Sequence, residues 1–313
     1  MENNMIQVEN LSKSFNNISA VKNINFKINK GEIVGLLGPN GAGKTTTMRM
    51  LTGFYKPTSG NITINGLSVE NQRIDVQKMI GYLPENSALY TDMLVCDYLY
   101  FIASAFQLDN SIYQKNLDYA VSATGIEKYY YRPISQLSKG YKQRVGIAAT
   151  LIHDPLILIL DEPTSGLDPN QIIEIQKLII KLAENKTIIL STHILNEIEN
   201  TCKRAIIISE GTIVLDEPLT NLNALKKGGF KFHIMFSGKI NNVADVLKKE
   251  LSIDDVQLLS DNVHDTKLTL TTSEHVGEKI YECAVKNNWP LKELFAEKES
   301  LENIFHSLTG GKS

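Results

Sequence analysis

Ile33-Val-Gly-Leu-Leu37 runs directly into Gly38-Pro39-Asn40-Gly41-Ala42-Gly43-Lys44-Thr45-Thr46. The first five residues form a short apolar run, the pattern of a strand buried on both faces. Thr46 to Leu51 then reads as a helix. Between them, Gly38 to Thr45 fits G-x-x-x-x-G-K-[ST]. Glycines at those positions let the backbone wrap a phosphate without a Cβ clash. The following helix start adds N–H donors and the positive end of its dipole. Lys44 is placed to reach the outer phosphates, and the Thr45 hydroxyl to bind Mg2+. The stretch therefore predicts a nucleoside triphosphate site.

A second stretch supplies acids. Leu156-Ile-Leu-Ile-Leu160-Asp161-Glu162 ends an apolar strand with two consecutive carboxylates. Consecutive side chains diverge, so the two can take different tasks. Asp161 can hold the magnesium shell while Glu162 polarises a water for attack on the γ-phosphate.

Around these stretches the pattern changes several times. Residues 5 to 30 alternate apolar and polar side chains, as in Ile24-Asn-Phe-Lys-Ile28, which predicts antiparallel strands with one wet face. Gly60–Leu67 and Ile80–Leu83 read as further short strands. From about Leu94 to Tyr131 the chain becomes helical and aromatic, with Tyr98, Tyr100, Phe101, Phe106, Tyr113 and Tyr119 spaced without strand alternation. Most of these rings are expected to pack a helical subdomain at about residues 88–150. Strand and helix then alternate: Leu156–Leu160, a helix from about Asn170 to Glu184, Thr187–Ser191, a helix from about Leu195, and Ala205–Ser209. That order implies a parallel sheet of the doubly wound kind.

The pattern breaks at Lys226-Lys-Gly-Gly229, dividing the chain into residues 1–225 and 226–313. The second part reads strand (Phe230–Phe236), helix (Val243–Leu251), strands near Val256–Leu259 and Lys267–Thr271, helix (Val276–Asn287) and strand (Leu291–Ala296). This βαββαβ order suggests a small α+β, ferredoxin-like domain, and a helix over Ser300–Leu308 closes the chain. The tail holds no catalytic constellation. It reads as a regulatory or dimer-stabilising module, or as inert packing.

Composition narrows the function classes. The 313 residues are 42% apolar and 21% charged, with a formal net charge of −3, so no overall positive field recruits nucleic acid or anionic lipid. Cys96, Cys202 and Cys283 are far apart and lack metal-ligand spacing, which fits reduced thiols in a cytoplasmic protein. No signal peptide is visible, and no apolar run approaches the ~20 residues of a membrane helix. Service to a membrane process would need another polypeptide to cross the bilayer.

Leu137-Ser138-Lys139-Gly140-Tyr141-Lys-Gln-Arg144 resembles the signature motif of ATP-binding cassette (ABC) proteins, usually written LSGGQ. Ser165-Gly-Leu-Asp168 looks like the family's D-loop, His193 like its switch histidine, and Phe15 stands where an aromatic lies under the adenine. The resemblance implies a P-loop cassette with a RecA-like mixed sheet, an antiparallel β subdomain and a helical subdomain. It also implies ATP hydrolysis by paired cassettes. Each ATP would lie between the phosphate loop of one and the signature of the other, so Ser138 and the Gly140 backbone would meet the γ-phosphate across the interface. His193 would sense that phosphate within its own chain.

Two departures stand out. Glu85 occupies the place of a glutamine that normally serves magnesium and water. Lys139 and Tyr141 replace glycine and glutamine in the signature.

The Ser-Lys-Gly-Tyr-Lys-Gln-Arg form, the Tyr-Leu-Pro-Glu loop, Asp168-Pro-Asn-Gln171 and the ending Ser300–Phe305 are similar to ATPases of ABC-2 type exporters. That group includes the gliding-motility-associated ATP-binding subunits and multidrug or antibiotic export relatives. The likeness implies a homodimer working at the inner membrane face with a permease partner. Exposed aromatics of the Glu85–Tyr131 segment, Tyr90 or Tyr98, would then be available for docking. The alternative is a non-transport ABC ATPase acting on nucleic acid or ribosomes, but neither a coiled-coil insertion nor a second cassette is present. A guanine-specific GTPase is disfavoured because Asn185-Lys-Thr-Ile188 lacks the acid that pairs with the base.

Overall fold

The computed structural model describes residues 4–221, 230–251, 253, 255–272 and 274–298. They form two units, residues 1–219 and 220–313. The motif Lys226–Gly229 and the expected helix Ser300–Leu308 lie outside the described residues.

In the first unit the alternating segment becomes β1 (Asn4–Phe15) and β2 (Ile18–Asn29), paired antiparallel. The apolar run is β3 (Ile33–Leu37), buried at every position. The phosphate-loop helix is α1 (Lys44–Leu51). After it come β4 (Ser59–Ile64), β5 (Leu67–Ser68), α2 (Arg73–Lys78) and β6 (Ile80–Leu83). Three helices follow, α3 (Val95–Ala105), α4 (Asn110–Thr124) and α5 (Lys139–Leu151). The chain then alternates through β7 (Ile157–Asp161), α6 (Pro169–Ala183), β8 (Thr187–Thr192), α7 (Leu195–Thr201), β9 (Arg204–Ser209) and β10 (Thr212–Pro218).

Two sheets result, ordered β2-β1-β4-β5 and β10-β9-β3-β8-β7-β6. The second is parallel except for β10, which returns antiparallel along β9, so the sheet is mixed. One apolar core joins both sheets to α1 through Ile6, Leu11, Leu36, Met48, Ile159 and Ile206.

Strand register assembles the site. Leu37 lies opposite Thr192, Asp161 opposite Ser191, and Leu83 opposite Leu160. The loops that follow β3, β6, β7 and β8 therefore leave the sheet at one carboxyl edge, where open α/β sheets bind ligands.

The aromatic segment corrects one expectation. Tyr98 is buried, at 7% exposure, and packs edge-on against Tyr90, which is 56% exposed. Tyr98 lies on the packed side of α3 with Val95, Leu99 and Ala103, so of the two rings only Tyr90 is open for docking. Tyr113 is buried as well, whereas Tyr100, Phe101 and Tyr119 are exposed. Among the described residues no helix is long and apolar enough to cross a membrane, and all three cysteines are free.

The second unit comprises β11 (Phe230–Ser237), α8 (Val243–Leu251), β12 (Val256–Asp261), β13 (Asp265–Thr272), α9 (Gly277–Lys286) and β14 (Leu291–Lys298). Its sheet order is β12-β13-β11-β14 with every pair antiparallel, the ferredoxin-like arrangement. The alternation of β11 sends Phe232, Ile234 and Phe236 into a core shared with Leu247, Leu268 and Ile280.

Candidate functional site

The loop between β3 and α1 holds a conformation that only glycine accommodates easily. Gly41 and Gly43 have φ of 80° and 110°. A Cβ on Gly43 would fall 2.6 Å from the Ala20 carbonyl oxygen, and one on Gly38 would collide with the Ile208 carbonyl. The loop thus lies flat between β2 and β9. Over it opens a cavity of about 400 Å3, walled by Ala20, Asn40, Gly41, Ala42, Gly43, Lys44, Thr45, Thr46, Glu85, Glu162, Ser165 and His193.

Lys44 is buried and folded over its own loop. Its ammonium donates to the carbonyls of Gly38 at 2.7 Å and Pro39 at 3.3 Å, and lies 3.5 Å from Glu162 Oε1. Glu162 takes its other contact from His193, whose Nδ1 is 3.0 Å from Oε2. The Glu162 backbone has φ of +48°, an unusual value for a non-glycine residue that turns its side chain away from the strand axis. The carboxylate is therefore held between one cation and one imidazole, open to the cavity.

Asp161 sits behind this layer, fully buried at the end of β7. Its Oδ1 accepts a 2.5 Å hydrogen bond from the Ser191 hydroxyl, while Oδ2 has no hydrogen-bond partner among the described residues. The Ser191 oxygen also accepts the Glu162 N–H at 2.9 Å. On the next loop, Thr192 Oγ1 donates to buried Glu197 at 2.6 Å and accepts the Ile194 N–H at 3.1 Å, bracing the backbone on both sides of His193.

The remaining expected residues lie apart from the cavity wall. Phe15 ends β1 at 38% exposure, edge-on to Tyr55 at 5.2 Å, with the Lys13 ammonium 5.0 Å from its centroid. Ser138 caps α5, accepting the Tyr141 N–H at 3.4 Å, and Gly140 is buried in the first turn of that helix. Sequence reading overlooked Ser191, Ala20 and Glu197, and marked Ser165 only as part of the D-loop-like motif rather than as a wall of the cavity. A serine opposite Asp161 at the end of a neighbouring apolar strand was the one available sign.

A phosphate-cradling loop, a helix start and two acids on one sheet edge define a nucleoside triphosphatase of the P-loop kind. The ABC transporter family model matches residues 21–165. The bacitracin transport ATP-binding protein BcrA of Bacillus licheniformis is 33% identical over 312 residues, covering 98% of each chain. The SkfA peptide export ATP-binding protein SkfE of Bacillus subtilis is 38% identical over 213 residues, covering 68% of this chain and 88% of its own. Among solved structures, the cassette MJ0796 in a post-hydrolysis state with ADP and Pi superposes with a TM-score of 0.62 at 26% identity, covering 69% of this chain and 99% of that one. The chain belongs to the ABC transporter family, as an ATP-binding and ATP-hydrolysing subunit.

Proposed function

We propose that this chain powers an ABC-2 type exporter, closing with a second cassette around ATP and driving a separate membrane-spanning permease. The observation that carries the reading is Glu162, held between Lys44 and His193 at the mouth of the phosphate loop. ATP phosphates entering the cavity would take over the Lys44 ammonium and draw it from its own loop carbonyls. Glu162 would then accept a proton from the attacking water, and His193, on a braced loop, would contact the γ-phosphate.

Mg2+ fits the residues present. The buried, unpartnered Asp161 Oδ2 is a ready oxygen ligand, and Thr45 and Glu85 share the cavity wall. No group of three or more His, Cys, Asp or Glu side chains among the described residues is arranged to hold a metal. Magnesium is typically bound in this way, by one or two carboxylates together with substrate phosphates rather than by a protein cage. Thr45, Asp161 and Glu85 would hold the ion, which supplies neutralisation of charge on the phosphate oxygens.

Ser138 and Gly140 lie away from the cavity of their own chain, which supports their service to a facing copy. A groove of about 470 Å3 draws part of its lining, Tyr98, Ile102 and Phe106 among others, from the Glu85–Tyr131 segment expected to face the permease. The full-length likeness to a bacitracin transport subunit and the likeness to a peptide export subunit favour export at the cytoplasmic membrane face. Likeness to gliding-motility subunits rests on motif wording alone. Affinity purification from detergent-solubilised membranes tests the reading: an integral membrane protein should be recovered with the chain, and recovery of ribosomes or DNA would sink it.

A further inference from the structure

We infer that Lys139, the signature residue that departs from glycine, is a positioning residue for ATP hydrolysis that holds the Glu162–Asp168 loop in place from the side of α5. The inference rests on the reading of the cavity above as the ATP site.

Lys139 opens α5, and its extended side chain lies across Gly166. The ammonium occupies the space that a Cβ on Gly166 would need, and Cε and Cδ would lie 3.3 and 3.9 Å from such an atom. Gly166 has φ of +66° and stands in a tight double turn. Within it the Ser165 N–H donates to the Glu162 carbonyl at 3.1 Å, and the Leu167 N–H to the Thr164 carbonyl at 3.2 Å. Ser165 and Glu162 both wall the ATP cavity. A shift of Gly166 is therefore felt two ways, in the cavity wall and in the backbone that aims Glu162.

The same two segments meet again further along. Gln171, in the first turn of α6, fills the space over Gly140, where a Cβ would come within 2.8 Å of its Cδ. Arg144 pairs with Glu174 at 2.7 Å. The start of α5 and the loop entering α6 are thus latched side by side, with Lys139 at the end nearest the cavity. Glycine at position 139 would leave Gly166 uncovered.

The Lys139 ammonium makes no hydrogen bond or ion pair with another described residue. Its effect on the loop is one of cover by a long side chain rather than of charge, and this decides the test. Steady-state ATP turnover of the full chain with Lys139→Ala should show kcat reduced about tenfold with KM for ATP within about twofold, the pattern of misplaced catalytic groups. Lys139→Met and Lys139→Arg should both restore kcat to within about twofold, because both cover Gly166.

Gly166→Ala should also lower kcat, since its Cβ displaces the Lys139 side chain. The double variant Lys139→Ala/Gly166→Ala should lose less than the product of the single losses. Unchanged kcat in Lys139→Ala, additive losses in the cycle, or rescue by Arg but not by Met would each overturn the inference. The last outcome would point instead to an anion bound by the ammonium. Binding of a fluorescent ATP analogue should survive Lys139→Ala and be lost in Lys44→Ala. Retention in Lys44→Ala would mean that the ATP-site reading had failed, not the positioning role alone.

Discussion

The Ser191 hydroxyl and the Asp161 carboxylate are joined by a 2.5 Å hydrogen bond in a region where neither residue has any solvent exposure. Because the same oxygen accepts the Glu162 N–H, one side chain fixes the orientation of Asp161 and the backbone that turns Glu162 outward. Ser191→Ala would leave a buried carboxylate oxygen and a buried N–H unmatched. The expected cost is about 1–3 kcal/mol in unfolding free energy, since each lost partner exposes a desolvation penalty. Chemical denaturation should record that loss. ATP turnover should fall with it, even at temperatures where the variant remains folded.

Glu162→Gln keeps the shape of the side chain and its contact with His193 but removes the negative charge beside Lys44. Phosphate release should drop about a hundredfold or more, the usual scale for loss of a general base. ATP binding should persist, because Lys44 no longer has a carboxylate competing with the phosphates for it. Equilibrium binding measured beside turnover separates the two effects. Loss of both together would show that Glu162 builds the site rather than acting in it.

Glu85 shares the cavity wall with Glu162 but has no bond to Lys44 or His193. A neutral amide can ligate a cation and orient water nearly as well as a carboxylate. Glu85→Gln should therefore retain most of the turnover and shift mainly its Mg2+ dependence, read by titrating magnesium at saturating ATP. A collapse comparable to that of Glu162→Gln would mean the two roles had been exchanged.

Legibility in the sequence followed the physics of burial. β3 and β7 were readable because a strand covered on both faces tolerates only apolar side chains, so the loops at their ends stood out. The second unit was readable because Phe232, Ile234 and Phe236 alternate with polar neighbours on a half-buried strand. β10 was not, since its burial follows no clean alternation and its pairing with β9 has a register shift. Tyr98 was misjudged because its exposure depends on which elements α3 packs against, and local spacing does not encode them. Ser191 escaped notice for the same reason. Its importance comes from Asp161, thirty residues away in sequence and opposite it only in the folded sheet.

His153 makes stability depend on acid. Its ring is stacked on Phe106 at 3.9 Å and 4°, and Nε2 lies 3.0 Å from the Ile80 carbonyl oxygen. Burial, with a smaller contribution from the Lys186 charge, holds its pKa below the ordinary value. The folded protein keeps the ring neutral, whereas the unfolded chain takes up a proton as pH falls through about 6.5. The contribution is therefore fully present above that pH and is lost progressively below it. The thermal midpoint should fall between about pH 7.5 and about pH 5.5, and less steeply in His153→Gln, which has no titrating ring. Equal slopes in the two proteins would rule His153 out as the cause.

Ser138 and Gly140 lie outside the wall of their own chain's cavity, so an isolated chain brings the phosphate loop, Glu162 and His193 to that cavity but neither Ser138 nor Gly140. If a second copy supplies them, symmetry makes each chain complete the other's site. Turnover at low concentration then depends on the population of pairs, which grows as the square of protein concentration, and becomes linear once pairing saturates. Ser138→Arg, which places a bulky cation at the shared surface, should abolish the quadratic region while leaving ATP binding to the single chain intact. Phosphate release measured over a concentration series, with sedimentation to mark the onset of pairing, checks this directly. Turnover strictly proportional to protein from the monomeric regime upward would show that one chain hydrolyses ATP unaided.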